Sequence, residues 1–200
     1  MTTYSYLALG DSYTIGEQVA FAENFPNLAV QLLRKTGISF YAPEIIAKTG
    51  WTTDELNVAI ENTSLLESYD AVSLLVGVNN QYRGRPATEF KVEFEQLLQL
   101  AIKFAANKPY RVFVLSIPDW GVTAFAEGRN RKQIAAEIDT YNYICEASAK
   151  QFQANFIEIT HSQREDGDKP EFLASDGLHP SGKEYAKWAN KLFDAVIKEL

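Results

Sequence analysis

Apolar positions along the chain follow two rhythms in alternation. Short runs rich in β-branched and aromatic residues occupy 4–10 (YSYLALG), 38–46 (ISFYAPEII), 69–77 (YDAVSLLVG), 110–117 (YRVFVLSI) and 155–160 (NFIEIT), and each predicts a strand. The runs at 69–77 and 110–117 are almost continuously apolar, as strands covered on both faces require. Between the runs, apolar residues recur at helical spacing. Residues 26–35 open on Pro26, a favourable first helical position, and stop before Gly37. Residues 53–61 follow Thr52 and Glu55, which have the spacing of a capping box. Residues 89–106 carry Phe90, Phe94, Leu97, Ala101 and Phe104 on one face, and 130–153 form a further helix. The last helix, 182–199, starts after Ser181 with Glu184 at capping-box spacing and presents Tyr185, Trp188, Leu192 and Val196 together.

Strand and helix thus alternate five times. That order predicts an α/β fold with a five-stranded parallel sheet covered by helices on both faces. No repeat, low-complexity tract or linker interrupts it, so residues 1–200 read as one domain. Two connections are unusually long, 118–128 and 161–180, and loops of that length in a compact domain are often functional.

Composition narrows the function classes. An apolar content of 46% supports a full core, while a net charge of −7 argues against a nucleic-acid footprint, which needs clustered Lys and Arg. Neither a Walker A run nor Gly-x-Gly-x-x-G is present. Cys145 is the only cysteine, so neither an intrachain disulfide nor a cysteine-rich metal site is expected; within its helical pattern it reads as a small buried residue. The acidic stretch "REDGDKPE" lacks EF-hand spacing and reads as a solvated loop. No run of about 18 apolar residues predicts membrane insertion. The segment "MTTYSYLALG" lacks the basic and apolar regions of a signal peptide, making a cytoplasmic location the default expectation.

Ligands of open parallel sheets bind at the carboxyl ends of the strands, so the residues just after each strand matter most. These are Gly10-Asp11-Ser12, then Thr49-Gly50-Trp51, then Gly77-Val78-Asn79-Asn80, then Pro118-Asp119-Trp120-Gly121, and finally the long loop with His161, Asp176 and His179. A serine at neutral pH needs a base within hydrogen-bond reach, and the base needs a partner that fixes its tautomer. His179, with Asp176 three residues earlier, can supply both; His161, the other histidine, has no carboxylate at that spacing and is the rival base. A developing oxyanion needs donors, for which the Ser12 N–H, the Gly50 N–H and the Asn79 amide are candidates. Asp11 reads as a loop-holding residue through backbone hydrogen bonds. Tyr13, Trp51, Tyr82 and Trp120 sit beyond strand ends as candidate pocket walls, and Arg83 and Arg85 could meet an anionic group or simply be solvated.

Four blocks in order, "LALGDSYTIGE" (7–17), "AKTGWTT" (47–53), "LLVGVNNQY" (74–82) and "DGLHPSGKEYAKWA" (176–189), resemble the SGNH (GDSL) hydrolases, a family of esterases and lipases. The resemblance implies a flavodoxin-like three-layer α/β/α sandwich and a serine ester hydrolase working through an acyl-enzyme. It implies Ser12 as nucleophile, His179 as general base and Asp176 as its orienting partner, with Ser12, Gly50 and Asn79 as oxyanion donors. It implies a small-molecule ester as substrate, and neither metal nor organic cofactor. Carbohydrate O-acetylesterase, thioesterase and lysophospholipase activities stay open within the same family. Outside it stand a non-catalytic ligand-binding domain and a receiver- or flavin-type domain, for which no phospho-acceptor pocket or flavin loop is found. Two positions depart from the family pattern: Tyr13 stands where leucine gives the family its name, and Asn80 stands where an acid commonly braces the site.

Overall fold

A computed structural model describes residues 2–200. Five parallel strands, β1 (Tyr6–Gly10), β2 (Glu44–Ala47), β3 (Ala71–Leu75), β4 (Val112–Leu115) and β5 (Asn155–Ile157), pair in the order β2-β1-β3-β4-β5. The register aligns Leu9 with Ile46 on one side and with Leu74 on the other. Among the described residues eight α-helices connect and follow them: α1 (Ser12–Ile15), α2 (Phe25–Lys35), α3 (Thr53–Glu61), α4 (Val78–Tyr82), α5 (Ala87–Phe104), α6 (Arg131–Gln151), α7 (Thr160–Asp166) and α8 (Gly182–Glu199). α2 packs on α8, and α5 packs on α3 and α6, giving the two helical layers of a three-layer α/β/α sandwich. The continuous apolar runs of β1, β3 and β4 are buried throughout, because helices cover both of their faces.

Local signals account for most helix ends. Asn24 caps α2 by accepting the Asn27 N–H at 3.0 Å, with Pro26 in the first turn. Glu55 reaches back to the Thr52 N–H at 2.9 Å, as the box at the start of α3 requires. The capping box expected at Ser181 and Glu184 does not form. Glu184 is buried instead, accepting the Trp188 indole N–H at 2.9 Å and pairing with Lys187 at 2.8 Å, while the Ser181 hydroxyl donates to the Glu171 carbonyl. The core-facing stripe of α8 is as expected, with Tyr185, Trp188, Leu192 and Val196 all buried.

Three expected elements are revised. Of the run 38–46 only residues 44–46 join the sheet, in a strand that continues to Ala47; Phe40 makes an isolated bridge to Tyr4, and Pro43, which has no N–H to give a ladder, lies between them. The connection 161–180 is not all loop, since it begins within α7, a polar helix of seven residues whose first N–H groups are accepted by the side chains of Ser116 and Glu158. Ser12–Ile15 and Val78–Tyr82, read as loops after strands, each close into a short helix, too short for a periodic pattern to register. Among the described residues no helix is long and apolar enough to cross a membrane.

In a 2-1-3-4-5 sheet the chain leaves β1 and β3 in opposite directions, which opens a crevice above their carboxyl ends. Asp11-Ser12 follow β1 directly, and Val78-Asn79 follow β3 after Val76 and Gly77. Backbones come very close there. A Cβ on Gly10 would lie 2.1 Å from Thr14 Oγ1 and 2.3 Å from the Leu75 carbonyl, so only glycine lets the chain turn from β1 directly into α1.

Candidate active site

Ser12 is the first residue of α1. Asp11 caps that helix, its Oδ1 accepting the Tyr13 N–H at 3.0 Å, which is the loop-holding role expected of it. As a first-turn residue Ser12 has no intrahelical acceptor for its own N–H, which leaves that group available. Asp11 is 1% exposed, and its second oxygen, Oδ2, is sealed without a hydrogen-bond partner. Burial therefore pushes the Asp11 carboxyl from its ordinary 3.8 up to about 7, tempered by the nearby N–H groups of Tyr13 and Gly77.

That shift has a sign. Between about pH 4 and 7 the unfolded chain releases the Asp11 proton while the folded chain keeps it, so this group removes stability as pH rises, and above about 7 the penalty is constant. Asp11→Asn keeps an acceptor for the Tyr13 N–H and abolishes the titration. Relative to wild type, the variant is expected to gain stability between about pH 4 and 7, by at most a few kcal/mol. Urea unfolding of both proteins across that range measures it, and a difference that does not change with pH would refute it.

On the loop between α7 and α8, Asp176 and His179 form a closed local unit. The His179 ring Nδ1 lies 2.6 Å from Asp176 Oδ2, while Asp176 Oδ1 accepts the N–H groups of Leu178 and His179 at 3.0 Å each. Burial alone would raise the Asp176 carboxyl, but the hydrogen bonds from the His179 ring and from these two backbone N–H groups outweigh it and hold it below its ordinary value. A carboxylate at that distance accepts a hydrogen bond from Nδ1–H, which keeps the ring proton on Nδ1 and leaves Nε2 as the lone-pair nitrogen. His179 is buried, with the Tyr13 ring packed behind it at 5.6 Å between centroids; Trp188 backs Tyr13 in turn at 6.0 Å. Tyr13, the departure from the family pattern, thus packs against the ring of the candidate base.

The other two oxyanion candidates lie on a turn after β2 and on α4. Lys48–Trp51 is a four-residue turn closed by Trp51 N–H to Lys48 carbonyl at 3.2 Å. Gly50, its third residue, has φ +86°, the left-handed value a type II turn demands there. The Gly50 N–H belongs to the central peptide of that turn and is not used by the turn's own hydrogen bond. Asn79 donates one amide N–H to the Trp51 carbonyl at 2.9 Å and retains a second. Asn80, the other departure, is fully buried and holds the start of α3: its Oδ1 accepts the Thr53 N–H at 3.1 Å, and its Nδ2 donates to the Thr53 hydroxyl at 2.6 Å. An amide can accept and donate there, whereas an ionised acid could only accept.

Ser12, Gly50, Asn79 and His179 all line one cavity of about 190 Å³, together with Tyr13, Thr49, Val78, Tyr82, Trp120, Phe125 and Leu178. The Ser12 hydroxyl and His179 share this cavity without a direct hydrogen bond, and such bonds are often long before substrate binds. Tyr82, Trp120 and Phe125 form an aromatic cluster with centroids 5.3–6.4 Å apart. Trp120 is fixed from behind by its indole N–H to Gln81 Oε1 at 2.8 Å, and Gln81 donates in turn to Glu137 at 2.6 Å.

Several expectations separate here. Tyr13, Tyr82 and Trp120 reach the cavity; Trp51 does not, its half-buried ring packing against the core while its carbonyl serves Asn79. His161 lies outside the cavity on α7, its side chain 79% exposed and 3.4 Å from Glu165. Cys145 is 1% exposed in α6, and burial raises its thiol, as befits a packing residue. Arg85 is occupied by Asp54, Glu89 and Glu93. Sequence reasoning missed Thr49, Val78, Phe125 and Leu178 as lining residues. The length of 118–128 marked the loop but not Phe125, and the loop is tied to the Asp176–His179 segment by Phe125 N–H to Gly177 carbonyl at 3.0 Å and to α7 by Asp119 to Arg164 at 2.8 Å. Among the described residues no group of three or more His, Cys, Asp or Glu side chains is gathered as metal ligands would be.

Known structures share the architecture. The chain superposes on a lipase/acylhydrolase from Enterococcus faecalis with a TM-score of 0.76 at 18% identity, covering 100% of this chain and 97% of that one. It superposes on TesA with a TM-score of 0.73 at 16% identity, covering both chains completely. With Axe2, an acetylxylan esterase from Geobacillus stearothermophilus, the TM-score is 0.76 at 18% identity, covering 96% and 94%. No curated protein matches the sequence. The match that reaches beyond fold is to a family model: residues 8–187 fit the GDSL-like lipase/acylhydrolase family from just before Ser12 to past His179, and the chain belongs to that family.

Proposed function

We propose that the protein is a serine ester hydrolase acting through an acyl-enzyme. The observation that carries this is the convergence of Ser12 and an Asp176-held His179 in one cavity with Gly50 and Asn79. In the proposed cycle, His179 Nε2 takes the Ser12 proton as the hydroxyl oxygen attacks the ester carbonyl. The Ser12 N–H, the Gly50 N–H and the Asn79 amide hold the oxyanion. The alcohol leaves with the proton from His179. Water, deprotonated by the same ring, then attacks the acyl-serine, and the acid departs as Ser12 regains its proton.

The cavity's size and lining support a small acyl group. At about 190 Å³ it is smaller than the ~300–1,000 Å³ of typical ligand pockets, and Tyr82, Trp120, Phe125 and Leu178 make much of its wall apolar. The test is a p-nitrophenyl ester series from acetate to octanoate. The expected result is a kcat/KM highest for the shortest esters, with one acetyl trapped on Ser12 during acetate turnover. Release of p-nitrophenolate at the same rate by wild type and Ser12→Ala would overturn the enzyme reading and leave a ligand-binding domain on this fold.

A further inference from the structure

We propose that Arg83 is a positioning residue for the oxyanion site, an inference that rests on the ester-hydrolase reading above. Arg83 is the residue just after α4, and its Nη2 donates to the Gly50 carbonyl at 2.6 Å. One turn earlier on the same helix, Asn79 donates to the next carbonyl, that of Trp51, at 2.9 Å. α4 therefore grips two successive carbonyls of the Lys48–Trp51 turn. It also carries Asn79 itself. Two of the three candidate donors, the Gly50 N–H and the Asn79 amide, are in this way set relative to each other by one short helix.

The clasp has work to do at Gly50. The turn sits between β2 and α3 and lines the cavity with Thr49 and Gly50, and Gly50 is only partly buried. A Cβ on Gly50 would meet nothing closer than the Arg83 Nη2, at 3.9 Å, so packing does not confine this residue. Glycine has the widest conformational range of any residue, and a peptide flanking it can rotate unless something holds it. A charge-assisted hydrogen bond is about twice as strong as a neutral one, and the Arg83 bond is of that kind. The guanidinium's other contact, to Glu55 at 3.4 Å, is an exposed ion pair and contributes little by comparison. Holding the Gly50 carbonyl fixes the peptide next to the donating one, and preorganised donors owe their value to not moving as charge develops.

The effect belongs in kcat. Loss of a whole oxyanion donor costs about 10²–10³ in kcat, so loosening one should cost less, on the order of 10-fold. Arg83→Met keeps the aliphatic stem and removes the donor; Arg83→Lys restores a charged donor without the fork. With p-nitrophenyl acetate, Arg83→Met is expected to lower kcat about 10-fold with KM within about twofold, and Arg83→Lys to recover part of the loss. Glu55→Gln, which keeps the capping-box geometry and breaks only the surface pair, is expected to match wild type. Thermal melts of all three are expected to coincide. Wild-type kcat in both Arg83 variants, measured beside an inert Ser12→Ala, would overturn the positioning role and leave the hydrolase reading intact. A rise in KM at unchanged kcat would also overturn it, by making Arg83 a substrate contact. If Ser12→Ala retains wild-type turnover, the hydrolase reading itself fails, and the clasp with it.

Discussion

Ser12→Ala is expected to lower kcat for p-nitrophenyl acetate by ~10⁵–10⁶, His179→Ala by about the same, and the double variant no further. The reason for the non-additivity is mechanical. The hydroxyl without its base stays protonated, and the base without its hydroxyl has nothing to deprotonate, so either loss removes the covalent route completely. What remains is the contribution of binding and of the oxyanion donors, which both variants keep. Ser12 caps no helix and holds no distant element through its side chain, so its alanine variant should fold as wild type does. His179 is buried against Tyr13, and truncating it leaves a gap there. His179→Gln, which fills more of the gap, should be as inactive as His179→Ala. Steady-state kinetics with an active-site titration of wild type measure these effects. If the losses of the single variants multiplied in the double variant, Ser12 and His179 would not act as one unit. If His161→Ala were inactive while His179→Ala turned over normally, the base assignment would be wrong.

The second large effect is expected at Asp176. Asp176→Asn should lower kcat by about 10⁴, less than the loss of Ser12. Asparagine isolates the interaction with the ring. Its Oδ1 can still accept the Leu178 and His179 N–H groups, both 3.0 Å from the carboxylate now, so the loop keeps its shape. Its amide N–H would then face His179 Nδ1, 2.6 Å from the present Oδ2. That reverses the tautomer, moving the ring proton to Nε2, the atom that must be free to take the Ser12 proton. An Asp176→Asn protein with wild-type kcat would show that the carboxylate does not orient the base. An Asp176→Ala variant is expected to lose stability as well, because two backbone N–H groups lose their acceptor.

The elements of the sheet and its major helices could be read from the chain because they rest on local rules. Pro26 and Asn24 start α2, and Glu55 returns to Thr52 at the head of α3. The apolar runs at β3 and β4 announced burial on both faces. Where a local signal failed, a tertiary contact had claimed the residue. Glu184 had the spacing of a cap, but the indole of Trp188 and the amine of Lys187 draw it inward. The short helices α1, α4 and α7 escaped because four to seven residues carry too little periodicity to register.

The candidate site divides in the same way. Asp176 and His179 are three residues apart, and their mutual hydrogen bond is a local event that spacing alone could foresee. Ser12, Gly50 and Asn79 were marked by falling after successive strands, since a parallel sheet gathers its strand ends on one edge. By contrast, the exclusion of Trp51, the entry of Phe125 and Leu178, the support of Trp120 by Gln81 and the Arg83 clasp on Gly50 join loops separated by tens of residues. The sequence by itself determined the alternation of strand and helix, the sheet edge where the strand ends gather and the candidate residues along it, because backbone propensity and side-chain period act over a few positions. Only the tertiary structure decided which neighbours line the cavity and which side chains clasp the Lys48–Trp51 turn. Those contacts depend on how separate loops pack against one another, and no local pattern records that.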